Sequence, residues 1–399
     1  MKVIIVSSSI PKSPEELHLS FVFDEAYRLS LQGVKVHAIE NAKVEDQASS
    51  GISFHGVRSS LLSSVPFMLR HLGALPPLGF LRPPWKILDP YRYGHSVSDI
   101  VGTEEVDIIH AHFAYPEGFA GLIAKRETGK PLVVTLHGYD ILTEPSVGYG
   151  LRLGKRLDAI IKKVLKEADA VITASSATFN EASKIGVNGQ KLYLIPNGID
   201  LNKFNPNVNG KYIREKLGLN GRFIVFSLRA HEPWKGLEYL IRAIPSVIKY
   251  SENIFFIIGG EGSLKKYHKL LSRSLGVEKY VKFTGYIPSK DVPSYYAASD
   301  VSVVPSLQEA FGLVVTEAMA SCKPVIGSDV GGIPDQITDR YNGFLVKPRD
   351  PHSIANKIIF LYEHPEEARE MGLNGRKKAE EKFDIDKKIN RIIQLYSEL

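Results

Sequence analysis

Two carboxylates and two cations in the second half of the chain have the types and spacing for work on a phosphorylated ligand. From residue 300 to 336 the sequence reads D-V-S-V-V-P-S-L-Q-E-A-F-G-L-V-V-T-E-A-M-A-S-C-K-P-V-I-G-S-D-V-G-G-I-P-D-Q. Glu309 lies in a polar loop after a β-branched run, Phe311-Gly312 marks the start of helix-forming sequence at Leu313, and Glu317 lies about one turn inside it. A helix start offers unpaired N–H groups and the positive end of a dipole, which suits a phosphate. Glu309 then reaches the non-phosphate part of the ligand and Glu317 a hydroxylated ring on its other side, both as hydrogen-bond acceptors. Taken singly, each is as readily a solvated surface residue. Upstream, S-L-R-A-H-E-P-W-K-G puts Arg229 at a strand end and Lys235 at a helix start. A planar fork and a point charge flanking one turn make a diphosphate clamp, with a surface salt bridge as the alternative.

Histidines form a second group. His110 and His112 alternate onto one face of V-D-I-I-H-A-H, a spacing that can bind metal. No carboxylate or cysteine cluster accompanies them, so zinc is not expected. His137-Gly138-Tyr139-Asp140 directly follows another strand-like run. A residue at the carboxyl end of a parallel strand points into the ligand crevice, which places His137 there as a hydrogen-bonding group.

The elements that must carry these residues are short β-branched runs alternating with helical stripes, beginning with Lys2–Val6, Leu17–Leu31 and Val34–Ile39. That order predicts α/β architecture with doubly wound parallel sheets. The 399 residues suit two domains of roughly 150–200 residues each. The turn Asn197-Gly198-Ile199-Asp200 marks the boundary, giving domains 1–200 and 201–380, a linker over Phe204–Asn220, and a final helix, 381–399. The prolines between Arg58 and Gly94 predict short helices and loops there. Leu151–Ala168 has a helical apolar stripe, with Arg152, Lys155, Arg156, Lys162, Lys163 and Lys166 on the other face. Such a face is either solvated or a seat for anionic headgroups.

Composition is that of an ordinary globular protein, 44% hydrophobic and 24% charged. One cysteine, Cys322, excludes an internal disulfide and suits a reducing cytosol. Neither a signal peptide nor a membrane span is expected, since Leu61–Leu81 contains Arg70, His71 and three prolines. The net charge of +6 fits an anionic ligand or an anionic membrane surface, and no nucleic-acid-binding motif is present.

The run E-A-F-G-L-V-V-T-E with A-M-A-S-C-K-P-V-I and D-V-G-G-I-P resembles the donor-site signature of retaining glycosyltransferase family 4, the group 1 glycosyl transferases. H-G-Y-D, P-N-G-I-D and T-G-Y-I-P add further matches along nearly the whole chain. The resemblance implies the GT-B fold, two Rossmann-like domains facing across a cleft, with the final helix returning to the first domain. It implies a sugar moved from a nucleotide diphosphate to a glycan or lipid-linked acceptor, in the cytoplasm or peripherally on the inner face of the cell membrane. No cofactor and no metal are implied. Glu309 and His137 would be catalytic. Arg229, Lys235, Glu317, Phe311, Gly312 and Leu313 would bind the donor, and the backbone of Tyr286 and Ile287 would frame its base. The first loop departs from the family, reading S-S-S-I-P-K where a Gly-Gly pair is usual, so Ser8, Ser9 and Lys12 would substitute through side chains. Rival classes are a GT-B sugar-nucleotide epimerase, a phosphorylase, and a non-catalytic sugar-nucleotide-binding subunit.

Overall fold

The β-branched runs become buried strands because each lies inside a parallel sheet covered by helices. A computed structural model of the chain describes residues 1–8, 20–42, 46–60, 64–71 and 84–399. It divides into a unit of Met1–Ile195 with Ile389–Leu399 and a unit of Pro196–Lys388.

The first unit holds β1 (Lys2–Ser7), β2 (Lys35–Glu40), β3 (Gln47–Ser49), β4 (Ile52–His55), β5 (Ile108–His112), β6 (Leu132–Leu136), β7 (Ala170–Thr173) and β8 (Leu192–Leu194). Their order across the sheet is β3-β4-β2-β1-β5-β6-β7-β8. Among the described residues of this unit only β3 runs antiparallel to its neighbour. The second unit holds β9 (Phe223–Leu228), β10 (Ile254–Gly259), β11 (Val281–Gly285), β12 (Val301–Val304), β13 (Val325–Ser328) and β14 (Gly343–Val346). They lie in the order β11-β10-β9-β12-β13-β14, all parallel. The strand order reverses between β1 and β5 in one sheet and between β9 and β12 in the other. In open α/β sheets ligands bind outside the carboxyl ends of the strands at such a reversal. Arg229 follows β9 and the Glu309 loop follows β12, so both stand at the second reversal. The core beneath them is continuous, with Val225, Phe256, Val303 and Ile326 packed against the helices Leu237–Tyr250 and Pro351–Glu363.

Three expectations need correction. The proline-rich stretch contains a helix at Ser64–Arg70 and a long one at Pro84–Thr103 that continues through Pro90. Pro84 opens that helix, where a missing N–H costs nothing. Residues 72–83 lie outside the described residues, as do Ser9 and Lys12. The segment Phe204–Asn220 is not a plain linker, because it folds into the helix Lys211–Leu217. That helix approaches Val292–Ala298 so closely that a Cβ at Gly210 would lie 2.2 Å from the Ala298 nitrogen. The basic helix begins at Lys155, after a break at Gly154, and not at Leu151. Arg152 therefore lies off the helix face, held by Asp158 and Glu181 at 2.8 and 2.7 Å. Among the described residues no helix is long and apolar enough to cross a membrane.

Candidate functional site

In the second unit the two cations and one of the carboxylates meet directly. Arg229 is 5% exposed; its guanidinium donates to Ser306 Oγ at 2.5 Å and also to Glu309 Oε2. Lys235 Nζ donates to the same carboxylate at 3.0 and 3.2 Å. Burial alone would raise the Glu309 carboxyl, but Lys235 and Arg229 outweigh it and hold its pKa down at about 2. Burial pulls Lys235 below the usual lysine range, Glu309 opposes that, and the neighbouring guanidinium adds to it. Two cations on one carboxylate leave the cluster formally one positive charge in excess. Arg229 Nε is moreover a buried donor with no partner. Buried donors are nearly always satisfied, so an orphan aimed into such a cluster is a ligand signal.

Backbone geometry explains why the loop takes this shape. Gly331, at φ 56°, sits so close behind Glu309 that a Cβ would lie 1.7 Å from the Glu309 carbonyl oxygen. The Gly332 N–H donates to that same oxygen at 3.0 Å. Gly312, at φ 91°, turns the chain into the helix Leu313–Ala320. Phe311 is buried against Phe383, and Gln336 Nε2 donates to its carbonyl. Leu313, half-buried, opens the helix.

Glu317 stands apart from the cation cluster. It accepts from Tyr296 Oη at 2.9 Å, and burial raises its carboxyl although that hydrogen bond and Lys203 oppose the shift. After β11, Tyr286 is 46% exposed and Ile287 is buried. The Tyr286 N–H is engaged by Glu261 Oε1 at 3.2 Å, so it does not stand open for a base as expected. Ser306 and Tyr296 are partners the sequence did not single out. A serine immediately after the Val301–Pro305 run was the available signal for the first; for the second, in an ordinary Y-Y-A-A helix, there was none.

In the first unit, Asp140 is fully buried and accepts from the N–H groups of Ala114 (2.9 Å), His137 (3.1 Å) and Gly138 (2.9 Å). This is the physical content of H-G-Y-D: the aspartate ties the loop after β5 to the loop after β6 and sets His137 at the strand end. Ser8 does not stand open to a ligand, because its N–H (2.9 Å) and Oγ both donate to Glu117 Oε1. Burial pushes the Glu117 carboxyl up to about 7 against those two hydrogen bonds. The expectation that no carboxylate accompanies His110 and His112 fails. Glu25, from the helix Ser20–Leu31, comes within 3.3 Å of His112 Nε2 and 3.7 Å of His110 Nδ1. Sequence spacing hid it, because the sheet brings together residues far apart in the chain. Ligand atoms of Glu25, His110 and His112 lie within 4.8 Å of one another. Both His110 nitrogens, however, already face hydroxyls, Tyr396 Oη at 2.6 Å and Thr135 Oγ1 at 2.7 Å.

The chain resembles known proteins over both units. Residues 21–203 match the family model described as Glycosyltransferase Family 4, and residues 211–378 that described as Glycosyl transferases group 1. It is 28% identical over 286 residues to the GDP-mannose-dependent alpha-(1-6)-phosphatidylinositol monomannoside mannosyltransferase of Mycolicibacterium smegmatis, covering 69% of this chain and 72% of that one. It is 29% identical over 317 residues to the UDP-Gal:alpha-D-GlcNAc-diphosphoundecaprenol alpha-1,3-galactosyltransferase of Escherichia coli, covering 76% and 78%. In fold it is similar to sucrose-phosphate synthase of Thermosynechococcus elongatus, with a TM-score of 0.81 at 22% identity over 100% and 98% of the two chains. Anabaena HepE in complex with UDP-glucose gives 0.78 at 22% identity over the whole of both. With two parallel-sheet α/β units, and with family models matched over both, this chain belongs to the group 1 glycosyl transferases, enzymes of the GT-B fold.

Proposed function

We propose that this glycosyltransferase moves a hexosyl group from a nucleoside-diphosphate sugar to a glycan or lipid-linked acceptor, with retention at the anomeric carbon. The observation that carries the donor class is the Arg229–Lys235 pair converging on one buried carboxylate at the reversal of the second sheet, with Arg229 Nε unsatisfied. The bond from the anomeric carbon to the diphosphate breaks and its electron pair leaves on the phosphate oxygen. A new bond forms to an acceptor hydroxyl oxygen, whose proton the departing diphosphate takes. Arg229, Lys235 and N–H groups beside Gly312 stabilise the leaving charge, which asks for no metal. Glu309 turns from the cations to hydroxyls of the transferring sugar once phosphates replace it, Glu317 accepts from the ribose, and Ile287 backs the base. His137 hydrogen-bonds a sugar hydroxyl.

A lipid-linked acceptor is supported by the relatives' names, which include phosphatidylinositol monomannoside and diphosphoundecaprenol substrates. It is supported also by exposed Tyr139, Leu153, Lys155 and Arg156, an apolar and basic group suited to transient docking on an anionic surface. Incubating the protein with a panel of labelled nucleotide sugars and candidate acceptors tests the reading, with the anomeric configuration of the product read by NMR. Product of inverted configuration would remove retention. Isomerised donor without transfer, or binding alone, would replace the transferase reading with an epimerase or a binding subunit.

A further inference from the structure

At the opposite end of the second sheet from Arg229 and Glu309 lies a cavity of about 430 Å³, bounded by residues that open the strands. Phe223 begins β9, Asp300 directly precedes β12, and Cys322-Lys323-Pro324 lead into β13. These strands are parallel, so their length separates the cavity from the cation cluster at their other ends. The backbone holds its wall in place. Cys322, at φ 56°, takes the left-handed conformation that closes the helix Leu313–Ala320. Its N–H donates to the Met319 carbonyl at 3.0 Å and that of Lys323 to the Ala318 carbonyl at 2.9 Å. The helix Pro365–Lys382 lies so close behind this turn that a Cβ at Gly372 would stand 2.2 Å from the Cys322 carbonyl oxygen. Lys323 and the start of that helix are thereby fixed as two sides of one cavity.

The charges on the lining do not balance. Asp300 is already matched, accepting from Arg214 at 2.8 Å and from the Ile224 N–H at 2.7 Å. The Lys323 ammonium donates to the Ala297 carbonyl at 3.2 Å, and the Arg222 guanidinium to the Glu252 carbonyl at 2.5 Å. Among the described residues neither cation forms an ion pair, and a third, Arg369, meets Glu366 only at 4.0 Å. Burial pulls Lys323 below the usual lysine range and Asp300 opposes the shift, so an arriving anion finds a poorly solvated ammonium. Pro365 and Ala368, in the first turn of the long helix, also line the cavity and bring the positive end of its dipole to it. Two cations without a carboxylate ask for about two negative charges, which a phosphate monoester carries at neutral pH and a carboxylate does not. Beside them stand Phe223 and Tyr362, half-buried, their rings edge to face at 5.4 Å. A few placed charges beside an apolar wall is the lining that small organic ligands take. We propose that this cavity binds the phosphate monoester of a sugar-sized ring compound, its phosphate held by Lys323 and Arg222 and its ring against Phe223 and Tyr362. This site is distinct from the donor site and does not depend on the reading of that site.

Cys322 is the one cysteine of the chain and lines the cavity, so its thiol reports occupancy. Calorimetric titration with glucose 1-phosphate measures binding, and alkylation of Cys322 by iodoacetamide, with glucose as the neutral control, places it. Affinity should fall about tenfold or more in Lys323→Gln and in Arg222→Gln, each of which loses a charge-assisted contact. Arg222 is exposed, so its variant tests the site even where Lys323→Gln disturbs the fold. Saturating glucose 1-phosphate should slow alkylation of the unmodified protein, glucose should not, and both variants should need more of the phosphate for the same protection. An absence of binding overturns the proposal, and so does alkylation that saturating glucose 1-phosphate leaves unchanged. Affinity unchanged in both variants but lost in Arg229→Ala assigns the phosphate to the donor site and overturns it equally. Inorganic phosphate bound as tightly as glucose 1-phosphate would overturn the role given to the two rings.

Discussion

Glu309 occupies Arg229 and Lys235, the two cations proposed to hold the diphosphate, and on that proposal its charge is what the ligand must displace. Alanine at Arg229 or Lys235 should weaken nucleotide-diphosphate binding by about 1.5–3 kcal/mol each, with nucleoside binding unchanged. Equal loss for both ligands in calorimetry would make the cations merely structural. Glu309→Gln removes the competing charge, so diphosphate affinity should rise by about 1–3 kcal/mol at the effective dielectric of such a site while transfer collapses. Weaker nucleotide binding in that variant would mean that the carboxylate organises the cations rather than competing for them. Glu117 gives a pH signature. Its folded-state pKa, about 7, lies above the ordinary 4.5. Its contribution to stability is therefore fully present below pH 4.5 and is lost as pH rises through 7. Between those limits the unmodified protein should lose up to about 3 kcal/mol relative to Glu117→Gln, and thermal unfolding across pH measures it. At this scale the sequence showed the residues that share a short motif, Arg229 with Lys235 and Glu309 with Glu317. It did not show Glu25, although an acid between Val22 and Leu29 on the buried stripe of its helix was a signal to follow.

Strands such as Val301–Val304 and Phe223–Leu228 were legible because they are short apolar runs that a covered parallel sheet buries, whereas Gln47–Ser49, largely exposed and antiparallel, and its partner Ile52–His55 were not. Helix ends were less legible. Leu151–Ala168 has continuous helical spacing, yet Gly154 breaks it and the Arg152 ion pairs hold the turn before it. Prolines misled in the opposite sense, since Pro84 sits where a helix begins and Pro90 is tolerated within it. The glycine pair 331–332 was readable as a turn, but its closeness to Glu309 was not, since that depends on the spacing of β12 and β13. Gly331→Ala should therefore act on the site and not only on the fold. The left-handed backbone alone costs about 1–3 kcal/mol, and the clash with the Glu309 carbonyl must move the carboxylate off the cations. Thermal unfolding and nucleotide titration should both worsen. Lost stability with intact nucleotide affinity would detach the glycine pair from the site.

Across the whole molecule, the positive charge expected on the helix after Gly154 is partly spoken for. Lys162 is neutralised by Asp158 at 2.6 Å, and Arg152 is sequestered. Salt-sensitive co-sedimentation with anionic vesicles is expected, weakened by about 1 kcal/mol for each of Lys155→Gln and Arg156→Gln and little changed by Lys162→Gln. No dependence on anionic lipid in the unmodified protein would sink membrane docking. The two-unit plan was legible from length and repeated strand–helix order, and the turn Asn197–Asp200 lies within a few residues of the observed division. The first unit ends at Ile195 and resumes at Ile389, within the helix Ile385–Ser397. Synthesis therefore finishes the first unit last. While Pro196–Lys388 is being made, His110 has no Tyr396 to hold, and the surfaces that bury Ile392 and Leu395 have not yet met them. The nascent first unit must wait with an apolar seat uncovered, so its dependence on chaperones should be greatest at this stage and should end when the last turns of that helix emerge.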